Sequence, residues 1–259
     1  MLPVPLSASN LLAGREIGTP KNTEAGLAAG LAASSRKKRG DEHSDPSWAR
    51  RRVSNRTILY VDGFNLYYGA LKGTPYKWLD LSRLCALMLP TDDVVAINYY
   101  TALVSARPGN PSAPNDQQIY LRALRTIPDL SITYGHFLTH SVQMSLTGVT
   151  PAKRVWVDKT EEKGSDVNIA SHLVRDAYLK RFDVAVLITN DSDLAEPVRI
   201  VRQELALRTG ILNPHEHHSV QLKKLATFLK RIRQSHLIAS QFPHDLQDAK
   251  GAFRKPANW

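Results

Sequence analysis

Short apolar runs rich in β-branched residues alternate along this chain with longer stretches whose apolar side chains recur every three or four positions. The first pattern reads as strand and the second as helix. Residues 57–61 (TILYV) predict a buried strand ending at Asp62, and a helical stretch follows through Leu89. Residues 94–104 predict the next strand, and 114–126 a helix with Ile119, Leu121 and Leu124 among its apolar positions. Residues 130–138 read as strand, and 154–158 as a short strand or hairpin arm. A helix over 165–181, a strand over 183–189, a helix over 193–206 and a strand over 207–212 come next. A basic helical segment around 219–234 closes the series. Strands alternating with helices imply an α/β fold with a mostly parallel sheet and helices on both faces.

Outside this series the patterning fades. Residues 1–55 are rich in Ala, Gly, Ser and Pro, with basic clusters at 36–39 (RKKR) and 50–52 (RRR). They read as a disordered basic N-terminal tail. Residues 56–240 hold the folded domain, and 241–259 read as a second, flexible tail. No apolar run is long enough to span a bilayer. The start of the chain lacks the charged and continuously apolar segments of a signal peptide. The one cysteine, Cys85, has no partner for an intrachain disulfide and lies in a helix-like stretch as a small core residue. A cytoplasmic protein is expected, with no membrane partner.

Charge narrows the field of ligands. Lys and Arg number 34 against 24 Asp and Glu, a net charge of +10 that is spread over the chain and not confined to one tail. Such a balance suits a polyanion. The acids, by contrast, concentrate in three motifs: VDGFN at 61–65, KGSDV at 163–167 and TNDSDL at 189–194. Asp62 and Asp191 follow strand-like runs and Asp166 opens a helix. In a parallel sheet those positions converge on the carboxyl edge, where ligands bind.

Each acid also has an ordinary use. Asp62 can start a turn and Asn65 can cap the next helix. Asp166 can complement a helix dipole, although it shares a face with Ala170, Leu173 and Ala177, and Gly164 and Ser165 suit the turn and cap before it. Asp193 with Glu196 fits a capping box, which leaves Asp191 as the stronger ligand candidate. The conjunction is more specific than its members. Gathered carboxylates repel, and a hard divalent cation such as Mg²⁺ or Mn²⁺ would hold them together. Such a site can activate water and stabilise in-line attack on phosphorus. The His-rich stretch at 215–218 lacks the helical spacing of a zinc site and reads as a surface loop near substrate.

These three motifs, in this order and strand–helix context, resemble the signature segments of the NYN domain, the LabA-like branch of the PIN-like nucleases. The resemblance covers roughly residues 56–213. It implies a PIN-like three-layer α/β/α fold and a metal-dependent ribonuclease site. By the family pattern Asp62, Asp166 and Asp191 form the acidic, metal-holding cluster, Asp193 a fourth member, and Asn65 a supporting polar residue. Residues 140–153 stand out as a variable insertion.

RNA is the expected partner, and self-association into a homo-oligomer is left open. Lys159 and Lys163 flank the second motif. Lys223, Lys224, Lys230 and Arg231 line the basic closing segment and can meet an RNA backbone. Tyr67, Tyr68 and Trp78 after the first motif can stack on bases, although aromatic residues more often fill cores. The alternative class is a catalytically silent RNA-binding adaptor, which gains nothing from a negative pocket facing phosphates. A haloacid-dehalogenase-type phosphatase would need a second Asp where Phe64 stands. A dinucleotide site would need a glycine fingerprint after the first strand, and none is present.

Overall fold

The computed structural model describes residues 54–257 and Trp259. The expected N-terminal tail therefore lies, except for its last two residues, outside the described part. Six strands form one sheet in the order β3-β2-β1-β6-β7-β8: β1 (Asn55–Asp62), β2 (Asp92–Thr101), β3 (Leu130–Tyr134), β6 (Val184–Ile188), β7 (Arg208–Asn213) and β8 (Phe228–Arg231). Every neighbouring pair in it is parallel. With helices on both faces this is the expected PIN-like α/β/α arrangement.

The two-sided burial follows from the strand period. Leu59 and Val61 of β1 join one core cluster, while Ile58 and Tyr60 join the other. In β6, Val184, Val186 and Ile188 face the first cluster, and Ala185 and Leu187 the second. Successive side chains point to opposite faces, so a strand covered on both sides must be apolar throughout. A charged group is also buried against this core. The Asp176 carboxylate accepts from the Tyr60 hydroxyl at 2.9 Å and from Arg175 and Arg181 at 2.8 and 3.0 Å. Two guanidinium groups thus compensate a charge buried beneath the sheet.

The helices are α1 (Gly63–Leu66), α2 (Leu81–Met88), α3 (Ala113–Leu124), α4 (Ser165–Tyr178), α5 (Ala195–Arg199), α6 (Val220–Leu225) and α7 (Gln234–Ala239). Wider π turns at Tyr67–Leu71 and Ile200–Glu204 extend α1 and α5. The stretch at 130–138 is two strands, because the chain leaves the sheet after β3 to begin a hairpin of β4 (His136–Ser145) and β5 (Arg154–Lys163). The insertion expected at 140–153 is the outer part of that hairpin.

Two expectations change at the end of the chain. The basic helix around 219–234 is broken into α6, β8 and α7. The cause is Phe228, whose ring lies over Gly210 of β7 so closely that a Cβ there would clash with it. Strand pairing and this contact override the helical period. Residues 241–259 are not a loose tail. They contain a hairpin of β9 (Asp245–Asp248) and β10 (Gly251–Arg254). Arg122 of α3 grips it with a two-pronged ion pair to Asp248 and a bond to the Gly251 carbonyl at 2.8 Å.

Candidate functional site

Sequential strands run from β1 outward through β2 to β3 on one side, and from β6 through β7 to β8 on the other. The order therefore reverses between β1 and β6, and the carboxyl ends of those two strands form the edge at which parallel sheets bind ligands. Asp62 ends β1, and Thr189 follows β6 directly beside it. The Thr189 hydroxyl donates to Asp62 Oδ2 at 3.3 Å. The other carboxylate oxygen, Oδ1, accepts the Asn65 N–H at 2.9 Å, so Asp62 rather than Asn65 caps α1. Gly63 is required next. A Cβ on it would stand 2.7 Å from the Tyr100 carbonyl and from the Tyr99 ring.

Asp191 enters from the β6 side. It caps the short turn at Ser192–Leu194 by accepting the Asp193 N–H at 2.9 Å. The capping box expected of Asp193 and Glu196 is absent, because Glu196 is held by Arg199 at 2.7 Å. Asp193 is exposed. Asp166 is half-buried in the first turn of α4, in line with buried Ile169 and Leu173. The turn before it needs Gly164, whose φ is +102°. Ser165 does not cap this helix. Glu162 does, accepting the Ser165 N–H at 3.2 Å and its hydroxyl at 2.9 Å.

Burial pushes the Asp62 carboxyl up to about 6, and the charges of Asp166 and Asp191 push the same way. Its two hydrogen bonds oppose the shift and do not cancel it. Asp166 is also raised, by burial first and then by Asp191, Glu162 and Asp193. The acids from three distant motifs therefore share one electrostatic field, and Glu162 joins them unannounced by any motif. Among the described residues, no group of three or more His, Cys, Asp or Glu side chains stands close enough together to hold a metal ion as the side chains are placed. The polar atoms here are oxygens of Asp62, Asp166, Asp191 and Thr189 and the Asn65 amide, the hard donor type that Mg²⁺ and Mn²⁺ prefer, with no thiolate among them.

Asn65 ties the edge together. Its Oδ1 accepts the Asn190 N–H at 2.9 Å and lies 3.1 Å from His215 Nε2. Buried Asn213 ends β7 and donates to the carbonyls of His215 and His217. Asn190 donates to His217 O at 3.1 Å and accepts the Ser219 N–H at 2.6 Å. The His-rich stretch is therefore a loop pinned against the acidic crevice, and its first imidazole faces inward. The same rule that selects Asp62 and Asp191 would have selected this loop, since it follows the carboxyl end of β7.

The cations are less uniformly placed. Lys223 and Lys224 are exposed on α6, one turn from the Ser219 N-terminus that Asn190 holds. Arg231 ends β8 and reaches Glu216 at 3.8 Å. The Lys230 ammonium instead donates to Met88 O at 2.7 Å, at the far end of α2. Lys159 and Lys163 of β5 both pair with Glu161. That pairing holds the Glu161 carboxyl below its usual range.

Comparison with known proteins adds three findings. A family model described as the NYN domain matches residues 56–230. The chain is 30% identical over 237 residues to 6-hydroxy-3-succinoylpyridine 3-monooxygenase HspA of Pseudomonas putida, an alignment covering 79% of this chain and 75% of that protein. The crystal structure of a protein of unknown function from Vibrio parahaemolyticus superposes with a TM-score of 0.49 at 17% identity, covering 74% of this chain and 99% of that one.

Proposed function

The chain belongs to the NYN domain family, and from that premise we propose that its acidic crevice cleaves RNA phosphodiester bonds, as an endonuclease, with a divalent cation as cofactor. The observation that carries this reading is the convergence of Asp62, Asp166 and Asp191 at the sheet's switch point in spite of their mutual repulsion. Asp62, Asp166 and Asp191 would hold Mg²⁺ or Mn²⁺, with Asp193 and Glu162 adding negative charge. When bound, the cation supplies a Lewis acid that makes water a better nucleophile and stabilises charge on the phosphate oxygens.

The chain's own residues do the rest. A carboxyl titrating at about 6, as Asp62 does, can hold or release a proton at neutral pH. Asn65 fixes both the Asn190 turn and His215, so it positions two sides of the crevice. Lys223, Lys224 and Arg231 supply the cationic rim for an RNA backbone. Lys159 and Lys163 join them at the cost of their pairing with Glu161.

A second reading comes from the Pseudomonas putida relative, whose name assigns it hydroxylation of a pyridine. The feature of this chain that favours it is an aromatic cavity beside Asp62. One experiment separates the readings. Purified protein is incubated with labelled single-stranded and structured RNA in Mn²⁺, Mg²⁺ or EDTA, and in parallel with 6-hydroxy-3-succinoylpyridine, NADH and air. The nuclease reading expects cleavage that EDTA abolishes and no hydroxylated pyridine. Hydroxylation without RNA cleavage would transfer the relative's chemistry to this chain. RNA binding without either reaction would leave the adaptor alternative.

A further inference from the structure

We propose that the cavity between α1 and α3 binds a single flat heteroaromatic ring, seated against the Asp62 side of the crevice. The cavity measures about 120 Å³. Phe64, Tyr67, Tyr68, Tyr99, Tyr120 and Trp259 wall it. Six of the chain's aromatic side chains thus surround one small space. Tyr120 and Trp259 have ring centroids 5.4 Å apart at 55°, and Tyr67 and Tyr68 5.3 Å apart at 82°, so the lining rings are held against one another rather than splayed.

This aromatic lining is not closed core. Tyr68 is 56% exposed at the mouth, with Lys72 over its ring and Lys77 beside Trp259. Inside, Tyr99 is only 7% exposed and lines the cavity, and its hydroxyl makes no hydrogen bond among the described residues. A phenol hydroxyl in a cavity lining can donate to a ligand or a water held there. Deeper along α3, buried Asp116 accepts one bond from Ser112 at 2.8 Å and keeps further acceptor capacity. A donor and an acceptor in one aromatic lining suit a flat ring that carries both N–H and carbonyl or ring-nitrogen groups. A purely hydrocarbon ligand would leave both unsatisfied.

The position ties the cavity to the site already described. Gly63 lines it and directly follows Asp62. Tyr99 lies against that glycine, and the Asp62 charge acts on its hydroxyl. The ring can belong to a nucleotide, as the base beside the cleaved phosphodiester, in which case the proposal rests on the nuclease reading. It can equally belong to a free heteroaromatic molecule.

Calorimetric titration with the four 5′-ribonucleoside monophosphates, pyridine-3-carboxylate and ribose 5-phosphate tests the proposal. The variants are Ala113→Phe, which fills the cavity from the start of α3, and Val104→Phe, which fills it from the loop after β2. Ring-bearing probes should bind and ribose 5-phosphate should not. Filling the cavity should weaken binding roughly five- to 150-fold, the equivalent of about 1–3 kcal/mol for one stacked base. Binding of nucleotides alone assigns the ring to RNA, and binding of pyridine-3-carboxylate alone assigns it to a free ligand. Ring probes that fail to bind, or that bind folded variants as well as wild type, overturn the proposal. Ring binding by a protein that cleaves no RNA would sink the nuclease reading and leave the cavity site standing. Cleavage without ring binding does the reverse.

Discussion

Replacing Asp62 by Asn lowers the rate of metal-dependent RNA cleavage by roughly 10²–10³-fold or more, the scale of losing one fixed electrostatic stabiliser of transition-state charge. The change keeps the side-chain volume and an oxygen for the Asn65 N–H, so the fold survives. What it removes is the negative charge at the centre of the shared field. Asp191→Asn should act likewise, and the double variant should lose little more than the worse single one, because the groups work as a unit. Single-turnover rates at saturating Mn²⁺ are the measurement. A single variant that cleaves within threefold of wild type would remove Asp62 from the chemistry.

The same substitution should stabilise the metal-free protein at neutral pH. The Asp62 carboxyl rises from an ordinary value near 3.8 to about 6 on folding. Between those values the folded chain binds more protons than the unfolded one. Stability is then fully present below about pH 4, falls as pH rises through that window, and stays reduced above pH 6. Asp166 shifts in the same direction and adds to the slope. Asp62→Asn removes the cost, so it should gain on the order of 1–3 kcal/mol over wild type at pH 7.5 and almost nothing at pH 4. Urea unfolding in EDTA at both pH values reads this directly. A variant less stable than wild type at pH 7.5 would mean that the carboxylate is structurally satisfied. Sites held in strain for function commonly show this trade between stability and activity.

How far the sequence carried these conclusions depended on the range of the interactions. The apolar run at 57–61 and the one ending at Ile188 were legible because a strand buried on both faces leaves no polar positions. Once both were strands in a parallel sheet, Asp62 and Asp191 could only lie at its carboxyl edge. What escaped was decided by contacts between distant residues. Phe228 leaves its helical period to cover Gly210. The polar β9 segment is ordered by Arg122, more than a hundred positions away. Glu162 caps α4 from across the Gly164 turn, in a place where Ser165 had the better local claim. His215 looked like loop surface because nothing nearby in sequence announces Asn65 as its partner.

The cation site is the point on which the chemistry turns, and calorimetric titration of Mn²⁺ into metal-free protein at pH 7.5 tests it most directly. Wild type should bind Mn²⁺ saturably, and the Asp62→Asn/Asp191→Asn double variant should lose that binding while its fold persists. Equal binding by both proteins would place the ion elsewhere and leave the gathered carboxylates without the role assigned to them.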